Sequence, residues 1–268
     1  KYYTGNGVDM NKRAAVRGFK IAADQGSVNA MYNYAAILEH GEDVEMNKEE
    51  AARLYKLAAD NGQIEANYKY AMLLLSGINI KADREEDNET YLNEVQQSNE
   101  DAAHYMKISA LHGNKKAMFR YAQMLKNGEG VPIDIKESAK FYKMAADNGH
   151  SESVYIYAQM LNNGDGIKTD KAEAAKYFKK AAHNNNVESM YYLALLLKNG
   201  DGVTTDKKKA FDYFKKAADK GHLESIYNCA LIFDYGHGIP QDKNEAIRYY
   251  KSAADKGHRE AMYDYAVR

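Results

Sequence analysis

The 268-residue chain contains one cysteine, Cys229, so no internal disulfide can staple it. It contains no tryptophan and only two prolines, Pro132 and Pro240, a scarcity compatible with a largely helical chain. It lacks an excess of either charge: 37 lysines and arginines face 38 aspartates and glutamates, for a net charge of −1. Nucleic-acid binding needs a positive surplus, and none is present. No apolar run approaches the roughly 18 residues of a membrane span, so direct membrane insertion is not expected.

Signatures of chemistry are also missing. Several Gly-x-Gly stretches precede helices, but none ends in Gly-Lys-Ser/Thr and no strand leads into them, so they do not read as nucleotide cradles. No His-Glu-x-x-His pair offers a metal site, and His150, His222 and His258 each follow a helix-stop glycine, where repeat position explains them. Cys229 occupies a slot that holds tyrosine or leucine in the other copies, which suits a small buried thiol better than a nucleophile. No catalytic residue, metal ligand or cofactor is assigned.

What the chain has is a repeat. Gly-x-Gly-Val/Ile occurs in full at Gly5, Gly128, Gly164, Gly200 and Gly236, and in damaged form at Gly41 and Gly77. Five of the six steps between first glycines are 36 residues and the remaining one is 51. A fixed period of this length marks a stacked array. Glycine supplies the left-handed backbone that ends a helix. Three residues after the Val/Ile stands Asn11, Asn47, Asp134, Asp170, Asp206 or Asp242, each an N-cap. Glu50, Glu137, Glu173 and Glu245, three further on, complete capping boxes.

Each loop therefore joins a first helix to a second. The second carries an alanine near its start, an Ala-Ala pair near its end (as at Ala145-Ala146) and an aromatic between them: Phe19, Tyr55, Tyr105, Tyr142, Phe178, Phe214 or Tyr250. Small residues let neighbouring helices approach and the ring fills the gap. The first helix keeps one alanine slot, Ala35, Ala71, Ala122, Ala158, Ala194, Ala230 and Ala266. Such a hairpin cannot bury its apolar face alone and must stack on its neighbours. The fold class is all-α, an α/α solenoid of stacked helical hairpins.

The run Ala-x-x-x-Leu, then Gly-x-Gly-Val-x-x-Asp-x-x-x-Ala-x-x-Tyr/Phe-x-x-Ala-Ala-x-x-Gly, resembles the Sel-one-like repeat, a relative of the tetratricopeptide repeat, across essentially the whole chain outside the insertion. The resemblance implies a right-handed superhelix and a non-enzymatic scaffold or adaptor that binds other proteins. A cysteine-rich, penicillin-binding branch of the family closes each repeat with a disulfide; a chain with one cysteine departs from it, and that activity is not carried over.

Residues 1–268 read as one array, with the expectation that it is cut through a repeat at both ends and belongs to a longer protein. The cytoplasm is the favoured setting, with the secretory-pathway lumen as the alternative. The extra residues, at about 81–97, are expected in a loop. Ser98-x-x-Asp101 reads as the capping box of the resumed helix. The stretch Asp83–Glu89 is acidic and reads as a solvated excursion, with docking of a basic partner as the rival; Asn88-Glu89-Thr90 is a glycosylation sequon.

Comparison among copies separates packing slots from free ones. Positions matching Asn33, Ala36 and His40 vary and share one helix face. They give candidate partner-binding residues Lys69, Met72, Arg120, Gln123, Ile156, Gln159, Tyr192, Leu195, Asn228, Leu231 and Tyr235. The resemblance turns this face to the concave wall. The expected partner is a protein or peptide with apolar anchors and an acidic end, the latter meeting Lys69 and Arg120. The alternative is structural: self-association into a homodimer, or packing of the same residues between adjacent repeats. Lys207-Lys208-Lys209 sit at the positive end of a helix dipole, where the sequence gives no account of them.

Overall fold

The computed structural model describes residues 12–42, 44–78 and 88–268. The glycine loop at 5–8, the cap Asn11, the acidic stretch at 83–87 and the side chain of Asn88 lie outside the described residues. The described chain forms fourteen α-helices and no strand. It divides into two compact units, Lys1–Met144 and Ala145–Arg268.

In the first unit α1 (Lys12–Asp24), α2 (Val28–His40), α3 (Lys48–Asp60), α4 (Ile64–Leu75), α5 (Asn88–Leu111) and α6 (Lys115–Asn127) follow one another, each packed on the next. α7 (Ile135–Asp147) comes next in the chain. The second unit continues with α8 (Ser151–Asn163), α9 (Lys171–His183), α10 (Val187–Asn199), α11 (Lys207–Asp219), α12 (Leu223–Tyr235), α13 (Lys243–Asp255) and α14 (Arg259–Ala266), packed in the same serial way. Even-numbered helices are the first helices of the repeat and odd-numbered ones the second. The alanine slot is sealed in six copies, Ala35 to Ala230, each fully buried; Ala266, on the last helix, is exposed.

The caps form as the pattern requires: the Asn47, Asp134, Asp170, Asp206 and Asp242 side chains accept the backbone N–H three residues on at 2.8–3.0 Å. The reciprocal half of the capping box is replaced. Glu50, Glu173 and Glu245 reach forward instead, to Arg53 at 2.6 Å, Lys176 at 2.7 Å and Arg248 at 3.0 Å. The cap N–H groups that such a box would use already donate to the preceding helix, Asn47 to the Leu38 carbonyl at 3.0 Å, Asp170 to Leu161 and Asp242 to Phe233 at 2.9 Å, so the glutamates turn to the base three residues on. The histidines after the stop glycines are caps as well: His150, His222 and His258 accept N–H groups of Ser153, Ser225 and Ala261 through Nδ1.

Two expectations about the lengthened copy are corrected. α5 runs unbroken for 24 residues from Asn88, so its N-terminal part extends the second helix rather than lying in a loop. Ser98 is therefore no cap. It is buried, and its hydroxyl donates to the Leu74 carbonyl at 3.1 Å, pinning the extension to α4. The buried aromatic slot of this copy is held by Met106, fully buried, and not by Tyr105, whose hydroxyl reaches Asp60 at 2.8 Å.

The two glycines of each loop have separate tasks. The first adopts the left-handed conformation and caps the first helix, as Gly200 does with φ +78° and its N–H on Leu196. The second packs against the previous hairpin. A Cβ on Gly202 would stand 2.4 Å from the Ala172 amide nitrogen, and one on Gly130 would stand 2.0 Å from the Asn99 carbonyl oxygen. Gly-x-Gly is thus a helix stop joined to an inter-repeat contact.

Candidate interaction surface

In the first unit the two candidate cations are joined to internal partners. Lys69 on α4 reaches Glu39 on α2 at 2.9 Å, and the Tyr55 hydroxyl on α3 donates to the same carboxylate at 2.8 Å. Burial pushes the Glu39 carboxyl up, but the bonds from Lys69 and Tyr55 more than offset it and hold it below the usual range. Burial and the Glu39 charge together push the Tyr55 hydroxyl far up, so it stays a donor. Arg120 bonds Glu129 at 2.6 Å. Both cations expected to meet an acidic ligand therefore have a carboxylate within their own unit. Gln123 is half-buried, and Met72 stands out at 39% exposure.

In the second unit the residues grade from packed to free. Tyr192 is stacked on Phe178, with ring centroids 5.3 Å apart and planes at 13°. Gln159 donates to the Tyr155 hydroxyl at 2.6 Å, and burial pushes that hydroxyl up to about 12. Ile156 is half-buried. Asn228 is 9% exposed, donating to the Glu224 carbonyl at 2.8 Å and accepting from Lys198 at 3.4 Å. Leu195 and Leu231 are half-buried against the cluster of Phe214, Ile232 and Tyr250. Tyr235 is 57% exposed, with its ring stacked on His237 at 5.7 Å.

Leu231 and Tyr235 open onto one cavity of about 340 Å³. Ala210 and Ile232 contribute to its lining, together with Lys198, Asn199, Lys207 and His237. The variable rungs thus bring Leu231, Tyr235 and Asn199 together and leave Tyr192 in the packing. Sequence reasoning missed Lys198, Lys207 and His237. The available signal for Lys207 was its place at a helix start, where a cation is disfavoured and needs a reason.

Asp234, beside this cavity in sequence, faces the interior. Its carboxylate is buried and takes the Tyr250 hydroxyl at 3.1 Å, Lys243 at 2.6 Å and Arg268 at 2.9 Å. Burial pushes its carboxyl up, and the three donors pull it below the usual range. Cys229 is fully buried, which pushes its thiol up to about 12 and keeps it protonated. Among the described residues, no helix is long and apolar enough to cross a membrane.

No curated protein matches the chain. Among solved structures it is similar to c5321, a protective antigen of uropathogenic Escherichia coli with an SLR fold, at 23% identity and a TM-score of 0.76, over 99% of this chain and 54% of that one. It is also similar to a Sel1 repeat protein from Oxalobacter formigenes, at 24% identity and a TM-score of 0.60, over 98% of this chain and 71% of that one. The chain thus spans about half the length of the antigen. The Sel1 repeat model matches residues 2–27, 28–63, 64–86, 115–150, 151–186, 187–222 and 223–258, skipping the whole of the extended α5, and this chain belongs to the Sel1 repeat family.

Proposed function

We propose that the chain is a non-enzymatic adaptor that holds a partner protein on the face carried by its first helices, with the contact centred on Tyr235 and Leu231. Sel1 repeat proteins are generally protein-interaction scaffolds. One observation supports the choice of place: a tyrosine more than half exposed, above a half-buried leucine, at the mouth of a cavity. Aromatic anchors beside a pocket are the usual energetic centres of protein contacts. Away from this cavity the second helices carry exposed charge, as at Lys176, Lys179 and Lys180 on α9.

A photo-reactive benzoylphenylalanine at position 235, and separately at the exposed position 179, tests the reading in native lysate. A discrete protein cross-linked from 235 and not from 179, and lost when Leu231→Asp is added with the fold intact by circular dichroism, is the expected result. Equal labelling from both positions overturns it. Cross-linking to a second copy of the chain replaces it with self-association.

A further inference from the structure

We infer that the Tyr235 cavity takes an acidic segment of its partner, seating an apolar side chain against Leu231 and Tyr235 and a carboxylate between Lys198 and Lys207. This rests on the adaptor reading and adds the chemistry of what is bound.

The apolar part of the cavity is Ala210, Leu231 and Ile232, from α11 and α12. Its polar part is cationic. Lys198 lies at the end of α10, with the neutral Asn228 amide oxygen at 3.4 Å as its hydrogen-bond partner. Lys207 opens α11 and is exposed. The carboxylates near them are engaged elsewhere. Asp206 caps α11 through the Lys209 N–H at 2.9 Å and pairs with the Lys209 ammonium at 2.8 Å. Asp234 is enclosed by Tyr250, Lys243 and Arg268. Lys69 and Arg120, by contrast, each lie within 2.9 Å of a carboxylate of their own unit.

The position of Lys207 also makes sense on this reading. A cation at a helix N-terminus opposes the dipole, and its backbone is held there because the next loop packs on it: a Cβ on Gly238 would stand 2.6 Å from the Lys207 Cβ. An exposed lysine whose backbone is held beside an apolar pocket, at a helix N-terminus, is complementary to a carboxylate.

The test uses the whole isotope-labelled chain and two probes, acetyl-Leu-Asp-Phe-amide and acetyl-Leu-Asn-Phe-amide, followed by chemical shifts. The expected result is perturbation at Leu231, Tyr235 and Ile232, with the amide probe binding about fivefold to tenfold more weakly, the scale of two exposed ion pairs. Lys198→Gln with Lys207→Gln should erase that difference at an unchanged melting temperature. Equal perturbation by both probes overturns the acidic preference and leaves the adaptor reading standing. Perturbation elsewhere, or none, overturns the cavity as the seat, and cross-linking from position 235 then judges the adaptor reading alone.

Discussion

The two units solve one packing problem with different carboxylates. In the first, Glu39 takes the hydroxyl of Tyr55 and the ammonium of Lys69; in the second, Asp234 takes the hydroxyl of Tyr250 and two cations, Lys243 and Arg268. The acid stands four residues after the sealed alanine in both, at Ala35 and Ala230, and the tyrosine sixteen residues after the acid. The longer glutamate keeps an 18% exposed side chain, whereas the shorter aspartate is 2% exposed. Arg268 lies over the Tyr250 ring at 4.4 Å, closing that site in a way that Lys69 does not match. The same register slot is therefore wet at one place and dry at the other, and the cost of disturbing it should follow the water.

The largest effect is expected at the dry site. Asp234→Ala leaves the Tyr250 hydroxyl buried without its acceptor and should lower local stability by about 2–3 kcal/mol. Glu39→Ala lets water reach the Tyr55 hydroxyl and should cost about 1 kcal/mol. Amide hydrogen exchange suits a repeat array, because it reads each hairpin's own opening. Exchange in α12–α14 should accelerate more than tenfold beyond that in α2–α4. Equal acceleration in the two variants would remove the distinction between the sites.

Acid should separate them as well. Both carboxyls are held below their ordinary values, 4.5 for Glu39 and 3.8 for Asp234. A depressed carboxyl contributes stability that is complete above its ordinary value and lost as pH falls toward its folded one. The Glu39 contribution should therefore begin to fade below pH 4.5 and that of Asp234 below 3.8. Protection against exchange, followed downward in pH, should fall in α2–α4 first. Asp234→Asn should abolish the later loss, and a later loss that persists in that variant would place its origin elsewhere.

Much of this architecture is legible in the sequence because a 36-residue period repeats every local decision. Caps, stop glycines and sealed alanines appear several times each, so one misread copy does little harm. The paired sites were missed because tyrosine and phenylalanine look equivalent as space-fillers. The copies nevertheless carry a signal. Where the slot four residues after the alanine is Asn162 or Lys198, the ring sixteen residues on is Phe178 or Phe214, and where it is Glu39 or Asp234 the ring is a tyrosine; Lys126, followed by Tyr142, breaks the pattern, so the signal is partial. The Tyr105 error came from expecting a ring: eight residues after Ser98, as Tyr142 follows Asp134, stands Met106, and the aromatic is one position before it. At the candidate surface, variability found Leu231 and Tyr235 but could not tell a free side chain from Asn228, which is nearly buried and held by Lys198 and the Glu224 carbonyl.

The smallest effect tests whether the cation matters at the wetter site. Lys69 is 29% exposed and its partner 18%, so water already solvates part of the pair, and its net worth should be at most about 0.5–1 kcal/mol. Lys69→Met keeps the apolar stem and removes the charge, leaving Glu39 with the Tyr55 hydroxyl. The matching change, Arg268→Met, leaves Lys243 to neutralise Asp234 but strips away the group stacked on Tyr250. If closure of the site rather than charge is what differs between the units, Arg268→Met should loosen α14 about threefold to tenfold in exchange, while Lys69→Met changes α4 by less than about threefold. A larger effect from Lys69→Met would show that the exposed pair carries the site, and that chain position, not solvent access, sets the cost.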